Sequence, residues 1–503
     1  MLYTTTLLGL DTSTLLRLDD PTLPRLDTQS FQGWIPHIKA VYSRLLWKDN
    51  GLARPVSLEY SNNMAAYIEP KVLKGFRDFL PDAEITRRGL TEKIEAVFRS
   101  FGFVPIDTPA LEYTEILLGK GGGETEKQIY RFTDNGGRDI ALRFDLTIPF
   151  ARFIAMHRSS LTFPFKRYHI AKVWRGENTQ RGRYREFTQC DFDIIGSNSP
   201  AADFEILFLI YTVMKSLGLD FTIHVNHRGL FNRFLSHIGQ SENSIEVLRT
   251  VDKLSKVGED ETRKSLTEFA GSENADKILE FIGAKGTFVQ ILDRLTELSG
   301  GASPESERLS LLRQFMIDAS GVGEDDDLFV LDPSITRGLD YYTGVVFETF
   351  LSELPGIGSI CSGGRYDNLA GLYSKDESIS GVGSSVGLDR LLAALESLGK
   401  LPAFGGCPVA IACTDAEKPG KHQALAQTLR QAGIPCEVFV DPPPSGSEKD
   451  LVKQYILAEK KGMRYVIIPG KDPLNDKLIL RDLASRQNSE MLLEQAITKI
   501  KTP

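Results

Sequence analysis

The sequence predicts an α+β protein in which an antiparallel sheet is flanked by helices. Three observations support this class. Two runs of alternating apolar and polar residues flank an arginine-rich turn within residues 163–195, which indicates paired antiparallel strands. Residues 229–328 combine helical spacing of apolar residues with acidic clusters, which indicates a helical insertion. Beyond residue 405, strand and helix patterns alternate, which predicts a C-terminal α/β domain.

The first 63 residues differ in character from the rest of the chain. They contain Trp34 and Trp47 but show no sustained helical or strand period. Their several aspartates argue against a transit peptide, and no apolar stretch is followed by a cleavage site. We therefore expect residues 1–63 to be a poorly ordered N-terminal extension, with Met64 directly before the first regular segment.

The next segments alternate between helix and strand. Apolar residues recur at helical spacing from Ile85 to Phe101, and Gly102 is expected to end this helix. Residues 119–127, GKGGGETEK, are expected to form a glycine-rich loop that lacks the residue order of a P-loop. A half-buried strand is predicted to follow and to end at Asp145.

The insertion is predicted to divide the sheet domain into two sequence segments. A helix at about 201–217 covers the strands before it, and strand patterns resume at Phe329. In the last domain the alternation of strands and helices predicts a largely parallel sheet. The predicted domains are 64–228 with 329–400 for the sheet, 229–328 for the insertion and 405–503 for the C-terminal domain.

Composition excludes several classes of protein. The hydrophobic share of 41% and charged share of 25% are ordinary for globular domains. No apolar run approaches the roughly 20 residues that a membrane span requires. The five cysteines are odd in number and form no CxxC pair, which argues for reduced thiols and against a disulfide framework or a zinc site. We expect a cytoplasmic protein without membrane association or a metal site of its own.

An arginine-rich hairpin joins the two predicted strands between Lys172 and Asp193. Guanidinium groups bind phosphate oxygens bidentately and keep their charge, so this loop is predicted to grip a polyphosphate. The net charge of −8 does not exclude a nucleic-acid partner, because local charge steers ligands more than total charge does. Taken alone, the hairpin could also be a solvated sheet edge. Its main polar residues are Arg175, Glu177, Arg183, Arg185 and Gln189.

Three downstream segments favour the ligand-binding interpretation. Each combines glycines, which let the backbone approach a ligand closely, with charged or aromatic residues. The segments are TRGLDYYTG (336–344), CSGGRYDNL (361–369) and GVGSSVGLDRL (381–391). They resemble segments of the histidyl-tRNA synthetases, in which RGLDYYTG and GGRYD are family signatures. The hairpin resembles motif 2 of this class II synthetase family and GVGSSVGLDRL resembles its motif 3, so the resemblance implies a class II catalytic domain and a C-terminal anticodon-binding domain.

The resemblance also implies which residues bind ATP. Arg175 would hold the α-phosphate and the amino-acid carboxylate, and Arg337 would face that phosphate from the opposite side. Glu177 would contact the adenine amino group, Phe187 would stack on the base, and two further arginines would bind the γ-phosphate. Mg²⁺ would be bound mainly through the nucleotide. The ATP-binding set is Arg175, Glu177, Arg183, Phe187 and Arg390, and the catalytic set is Arg175, Arg337 and Arg390.

A histidine pocket beside the nucleotide is implied in the same way. Asp145 and Thr147 would fix the amino group of the substrate, and Gln189 would lie at its carboxylate. Asp193 and Tyr342 would contact the imidazole nitrogens, while two further tyrosines would shape the pocket. The full set is Asp145, Thr147, Arg175, Gln189, Asp193, Arg337, Tyr341, Tyr342 and Tyr366.

Several of these residues also have purely structural interpretations. Asp145 could cap the turn that follows it, and Asp193 could face solvent. Tyr341 and Tyr342 could be ordinary strand residues. Arg390 lies at a predicted helix start, where its charge opposes the helix dipole, so it is expected to have an anionic partner.

The implied activity is that of a histidine–tRNA ligase. Histidine and ATP would give histidyl-adenylate and pyrophosphate, and histidine would then pass to the 3′ end of tRNA(His). An ionised carboxylate needs no protein base to attack the α-phosphorus, so catalysis would consist of positioning and charge stabilisation. The implied partners are histidine, ATP, tRNA(His) and a second copy of the chain. That homodimer would form through the region Arg77–Ala110, which resembles motif 1.

The main alternative is a catalytically inactive, synthetase-like regulatory subunit of ATP phosphoribosyltransferase. Such paralogues share the catalytic fold but usually lack the anticodon-binding domain and the RGLDYY segment, and this sequence has both. A tRNA-binding sensor of the kind fused to a kinase is a third possibility, but the sequence contains no kinase motif set. Histidine-dependent ATP–pyrophosphate exchange would distinguish the enzyme from both.

Overall fold

The structure of the protein is a computed structural model. It describes residues 68–119, 124–321, 323, 328–335, 342–367, 369–373, 379–401, 406–415, 417–440, 448–472 and 474–502. The chain divides into two compact units, Met1–Pro70 and Lys71–Pro503, and every element below lies in the second. The predicted extension over residues 1–63 falls outside the described residues. No helix among the described residues is both long and apolar enough to cross a bilayer.

The strands are numbered in chain order. They are β1 (Val104–Pro105), β2 (Leu111–Tyr113), β3 (Arg131–Thr133), β4 (Asp139–Leu142), β5 (Phe165–Trp174), β6 (Glu186–Ile195), β7 (Phe221–His227), β8 (Phe329–Leu331), β9 (Val345–Leu351), β10 (Cys361–Tyr366), β11 (Gly381–Gly387), β12 (Val409–Ile411), β13 (Cys436–Val438), β14 (Tyr465–Ile468), β15 (Leu478–Asp482) and β16 (Gln487–Met491).

The α-helices are numbered likewise. They are α1 (Pro81–Ser100), α2 (Thr114–Leu118), α3 (Glu124–Gln128), α4 (Thr147–His157), α5 (Pro200–Ser216), α6 (Arg228–His237), α7 (Ser244–Val251), α8 (Leu254–Val257), α9 (Glu259–Ala270), α10 (Ser272–Ile282), α11 (Phe288–Leu298), α12 (Pro304–Ser320), α13 (Leu388–Ser397), α14 (Pro419–Gln431), α15 (Glu448–Lys460) and α16 (Leu493–Lys501).

An eight-stranded sheet forms the centre of the fold, with the strand order β1-β5-β6-β11-β10-β9-β7-β8. Its pairings are antiparallel except at the two edges, where β1 pairs with β5 and β8 pairs with β7 in parallel. Helix α1 buries Leu90, Ile94 and Phe98 in the core cluster that covers one face of this sheet, and α5 contributes its own apolar residues to the same cluster. The predicted antiparallel sheet flanked by helices is therefore confirmed.

The long hairpin β5–β6 places alternate residues of β6, including several predicted site residues, on one face of the main sheet. The two strands pair over ten positions, from Phe165 opposite Ile195 to Trp174 opposite Glu186. Successive side chains of a strand point to opposite faces. On β6, Cys190, Phe192 and Ile194 enter the hydrophobic core, so the alternate residues must occupy the other face. That face carries Phe187, Gln189, Asp191 and Asp193.

The helical insertion lies between β7 and β8. Helices α6 to α12 form it, and β8 then returns the chain to the edge strand β7. Its apolar residues belong to the same hydrophobic cluster as the main sheet, and the rings of Phe234 and Phe281 stack with centroids 4.4 Å apart. On α5, Asp203 joins the insertion to the sheet, because it binds Arg308 of α12 and Arg365 of β10. The assignment of the insertion to residues 229–328 stays a prediction.

A small sheet with the order β2-β4-β3 lies before the main hairpin. The prediction of a glycine-rich loop over residues 119–127 is wrong for residues 124–127, because Glu124–Gln128 forms helix α3. Glu, Lys and Gln are good helix formers, and the sequence after the glycines consists mostly of them. Residues 120–123 lie outside the described part of the chain.

The C-terminal domain contains a five-stranded sheet with the order β13-β12-β14-β15-β16. Strand β12 pairs in parallel with β13 and β14, whereas β15 is antiparallel to both of its neighbours. The prediction of a largely parallel sheet is therefore wrong, and the sheet is mixed. The described residues between β14, β15 and β16 form no helix, and parallel pairing would require longer crossovers. The α/β character of this domain is confirmed.

Candidate functional site

A cavity of about 500 Å³ lies on the polar face of the main sheet. Strands β6, β10 and β11 supply much of its wall, and the hairpin loop, the first turn of α13, the start of α4 and part of the insertion contribute further residues. Arg337 and Tyr341 fall outside the described residues. Every other predicted site residue lines this cavity: Asp145, Thr147, Arg175, Glu177, Arg183, Phe187, Gln189, Asp193, Tyr342, Tyr366 and Arg390.

Three guanidinium groups lie at one part of the cavity. Arg175 donates from Nε to the carbonyl oxygen of Phe144 at 2.8 Å, and its guanidinium centre lies 5.2 Å from the ring centroid of Phe187. The Glu177 carboxylate lies between two arginines, 3.9 Å from Arg175 and 3.8 Å from Arg183. These separations are too long for hydrogen bonds, so the arginines keep donors for a ligand.

Arg390 projects from the first turn of α13 toward the same group. Its Nη1 atom donates to the carbonyl oxygen of Ser359, which is neutral, so the anionic partner of Arg390 stays a prediction. Burial lowers the pKa of Arg390, and the charge of Arg183 lowers it further, while Glu348 and Glu177 act in the opposite direction. Cations that disfavour each other's charge are stabilised by an anion placed between them. This part of the cavity is therefore suited to a polyanion.

Two contacts fix the approach of the hairpin to α13. Gly182 has a φ of +74°, and a Cβ at this position would lie 3.3 Å from Cγ of Arg390, so a larger residue would be strained here. Asp389 is buried, accepts from the backbone N–H of Thr188 at 2.6 Å and pairs with Arg77. The helix start and strand β6 are thus held together beneath the arginines.

The Asp193 carboxylate lies at the floor of the cavity. It is buried, so the solvent-facing interpretation is wrong. Arg167 of β5 forms an ion pair with it at 2.7 Å, and the hydroxyl of Tyr366 donates to Oδ1. Gly383 lies opposite Asp193 in the β6–β11 pair, and a Cβ there would be only 1.9 Å from Oδ1. The glycine of GVGSSVG therefore makes the space that this carboxylate occupies.

Other polar groups surround this floor. The capping interpretation of Asp145 is correct, because Oδ1 accepts from the backbone N–H of Ile148 at 3.0 Å, and the same side chain also lines the cavity. Gln189 donates from Nε2 to Oγ of Ser385 at 3.1 Å. Burial, followed by the charge of Asp193, raises the pKa of Tyr342, so its hydroxyl stays protonated and can donate or accept.

The signature segment GGRYD also has a structural role. Arg365 is buried and donates from Nε to Asp203 at 2.8 Å and from Nη1 to the carbonyl oxygen of Ser197 at 3.0 Å. A Cβ on Gly363 would lie 2.2 Å from the carbonyl oxygen of Gly383, so the close strand pairing requires glycine there. This arginine anchors β10, and the adjacent tyrosine reaches the cavity.

Sequence reasoning missed several residues of the cavity. Asp191 lines it from the same face of β6 as Asp193, and the two-residue spacing of Gln189, Asp191 and Asp193 was a usable signal. Arg167 does not line the cavity but pairs with Asp193 from the neighbouring strand, and it is found only once the β5–β6 register is known. Lys253 and its neighbour Asp252 reach the cavity from the insertion, and nothing in the local sequence marks them.

Comparison with known proteins agrees with this geometry. Residues 75–391 match the family model described as histidyl-tRNA synthetase, and residues 408–502 match the model described as anticodon binding domain. A histidine–tRNA ligase of Treponema denticola is 51% identical over 455 residues, which cover 87% of this chain and 99% of that protein.

Solved structures give the same result at the level of the fold. The crystal structure of histidyl-tRNA synthetase from Nostoc sp. PCC 7120 is 33% identical and has a TM-score of 0.73, covering 86% of this chain and 99% of that one. A Bacillus halodurans structure titled as an ATP phosphoribosyltransferase regulatory subunit/histidyl-tRNA synthetase has a TM-score of 0.62 at 22% identity, covering 79% and 97%, and shows only the shared fold. On the family match and the 51% identity, the chain belongs to the histidyl-tRNA synthetase family.

Proposed function

We propose that this protein is a histidine–tRNA ligase. It forms histidyl-adenylate and pyrophosphate from histidine and ATP, and then transfers histidine to the 3′ end of tRNA(His). The observation that carries this proposal is one cavity with three arginines at one part and a buried carboxylate with tyrosine hydroxyls at another. Such a cavity can hold a triphosphate beside an imidazole.

At the arginine cluster, each residue has a proposed role toward ATP. Arg175 contacts the α-phosphate and the histidine carboxylate, and Phe187, whose ring lies beside it, stacks on adenine. Glu177 accepts from the adenine amino group, and Arg183 and Arg390 bind the γ-phosphate. The mutual destabilisation of these cations is relieved when the phosphate oxygens arrive.

The proposed histidine site uses the floor of the cavity. Asp193 accepts from one imidazole N–H, and the protonated hydroxyl of Tyr342 meets the other nitrogen. Asp145 and Thr147 bind the α-amino group, Gln189 lies at the carboxylate, and Tyr341 and Tyr366 shape the pocket. An amino acid with a different side chain leaves these buried polar groups unpaired. Sites that recognise a polar group in this way can reject such an analogue by a factor of about 10⁴–10⁵.

The chemistry itself needs no general base from the protein. The histidine carboxylate is already ionised when it attacks the α-phosphorus, and the P–O bond to pyrophosphate breaks. Arg175 and Arg337 stabilise the charge on the α-phosphoryl oxygens, a contribution of about 3–4 kcal/mol per well-placed donor. Arg337→Ala is expected to reduce ATP–pyrophosphate exchange strongly while histidine still binds. Unchanged exchange would refute its proposed role.

A divalent metal is implied by the family, and we propose Mg²⁺. No cluster of three or more potential ligand side chains is found among the described residues. Mg²⁺ commonly uses one or two carboxylates together with substrate phosphates. The cavity fits that pattern, because Glu348 lies near Arg390 and would hold the ion together with the phosphates. Bound there, Mg²⁺ would supply positive charge opposite the leaving pyrophosphate.

The C-terminal domain is proposed to read the anticodon of tRNA(His). This rests on the family model that matches residues 408–502. We also propose a cytoplasmic location. All five cysteines are free thiols, which agrees with a reducing compartment.

We further propose that the protein is a homodimer. Exposed apolar side chains surround the region that resembles motif 1, and such a surface is stabilised by burial against a symmetry mate. They are Val104 of β1, Leu111 and Tyr113 of β2 and Phe132 of β3. Sedimentation should show dimers that dissociate in the double variant Val104→Asp/Leu111→Asp. The control Val440→Asp, at an exposed apolar residue of the C-terminal domain, should stay dimeric.

The decisive experiment is ATP–pyrophosphate exchange with purified protein and each of the twenty amino acids, followed by charging of tRNA(His). Exchange that depends on histidine alone is the expected result. The inactive regulatory subunit would give no exchange with any amino acid, and exchange with a different amino acid would overturn the histidine assignment.

A further inference from the structure

One buried guanidinium lies beneath the proposed imidazole site. Arg167 is fully buried, and its register partner across the β5–β6 hairpin is Asp193. Its Nη2 atom lies 2.7 Å from Oδ2 of Asp193, and its guanidinium centre lies 4.0 Å from the ring centroid of Phe150. None of its three nitrogens forms a hydrogen bond with an acceptor among the described residues, so its contact with Asp193 is an ion pair. Burying a cation carries a large desolvation penalty, so a buried guanidinium at this position is expected to have a structural or functional role.

We propose that Arg167 is a positioning residue for histidine selection, which keeps the Asp193 carboxylate ionised and directed at the imidazole N–H. The proposal rests on the function proposed above and deepens it. Arg167 lies behind Asp193 and does not line the cavity, so it acts on the substrate through that carboxylate.

The need for such a residue follows from burial. An isolated carboxylate in an apolar site takes up a proton, and burial raises the pKa of Asp193, while Arg167 and the Tyr366 hydrogen bond oppose that rise. A protonated Asp193 would carry its own O–H donor and could no longer distinguish an N–H donor from an acceptor. The charge of Arg167 beside Oδ2 favours the ionised carboxylate, whose oxygens can only accept, and Oδ1 accepts from the hydroxyl of Tyr366.

A second buried carboxylate shares this guanidinium. Asp191 lies two residues from Asp193 on the same face of β6, and burial raises its pKa to about 7 while Arg167 opposes the shift. When Asp191 ionises, it attracts the same cation, so the ion pair between Arg167 and Asp193 weakens. The other titratable or charged groups that interact with Asp191 are Arg143, Asp145, Cys190, Tyr342 and Cys361.

The first test compares Michaelis constants in the exchange reaction. Arg167→Met is expected to raise the KM for histidine by about 10–100-fold, the size expected for a lost hydrogen bond to a charged group. The KM for ATP should stay within about twofold, because the arginine cluster is untouched, and Arg167→Lys should restore part of the histidine affinity. A merely structural role would raise both constants or lower only the amount of folded protein. Unchanged KM for histidine in folded Arg167→Met would overturn the proposal.

The second test uses Asp191→Asn, which keeps the shape of the side chain and leaves Arg167 in place. In the parent enzyme the KM for histidine should rise severalfold from about pH 7 to about pH 8.5, as Asp191 ionises. In the variant this rise should disappear. An identical pH profile in the two proteins would overturn the role given to the shared guanidinium, and it does so even if Arg167→Met fails to fold.

These outcomes separate the inference from the proposed function. If the parent protein exchanges with histidine but Arg167→Met and Asp191→Asn both behave like it, only the inference fails. If the parent exchanges with no amino acid, the proposed function fails first and the inference falls with it.

Discussion

Replacing Gly383 by alanine tests the placement of the histidine pocket most directly. The new Cβ would lie 1.9 Å from Oδ1 and 2.4 Å from Cγ of Asp193. Non-bonded atoms sit about 3.5–4 Å apart at their optimum, so the carboxylate must move by more than about 1 Å. A shift of that size breaks the hydrogen bond from Tyr366 and moves the acceptor away from the imidazole.

The magnitude follows from the group that is displaced. A hydrogen bond to a charged acceptor contributes about 1.5–3 kcal/mol, and each 1.4 kcal/mol is about tenfold in binding. Gly383→Ala is therefore expected to raise the KM for histidine by about 10–150-fold in ATP–pyrophosphate exchange. The KM for ATP should change little, because Gly383 faces Asp193 and not the arginine cluster.

A matched control lies on the same strand. Gly387 also borders the cavity, but the nearest atoms to an added Cβ are 3.8 Å away and its backbone is in an allowed region, with φ −77° and ψ 92°. Gly387→Ala should leave the KM for histidine within about threefold. If folded Gly383→Ala binds histidine as well as the parent does, Asp193 does not contact the imidazole and the pocket has been placed wrongly.

Two further predictions concern stability. Asp389→Asn should lower the free energy of unfolding by about 2 kcal/mol, because it weakens charge-assisted contacts to Thr188 and Arg77; an unchanged urea midpoint would contradict this. Burial lowers the pKa of His227 from 6.5 to about 4, and the neutral ring accepts from the Gly229 N–H. Its stabilisation is present above about pH 6.5 and is lost as the pH falls toward 4. In thermal melts, the melting temperature of His227→Asn should therefore fall less than that of the parent protein when the pH is lowered from about 7 to about 5.

The local patterns of the sequence predicted much of the sheet. Helix α1 and strands β5 and β6 follow from periodicity, because each has one apolar face that must be buried. Helix α3 was missed because the glycines before it dominated the expectation for the whole segment. The mixed C-terminal sheet could not be predicted from strand order alone, since pairing direction depends on where each connection runs in space.

The site was predictable where residue type and motif coincide. Arg175, Arg183 and Asp193 were named in this way, and they line one cavity. Arg167 was not predictable, because a single arginine in an alternating strand gives no sign that it is fully buried. Its partner is defined by the register of two strands, which is a property of the folded hairpin.

The shared core of the sheet and the helical insertion determines how this protein comes apart. One hydrophobic cluster includes both, whereas the C-terminal domain has clusters of its own. Elements that share a core lose their packing cooperatively, so the insertion cannot melt as a separate module before the sheet. Deleting the insertion would expose the apolar side chains of the sheet that it covers. It would also remove Arg308, one of the two arginines paired with Asp203. We therefore expect a truncated protein of this kind to aggregate.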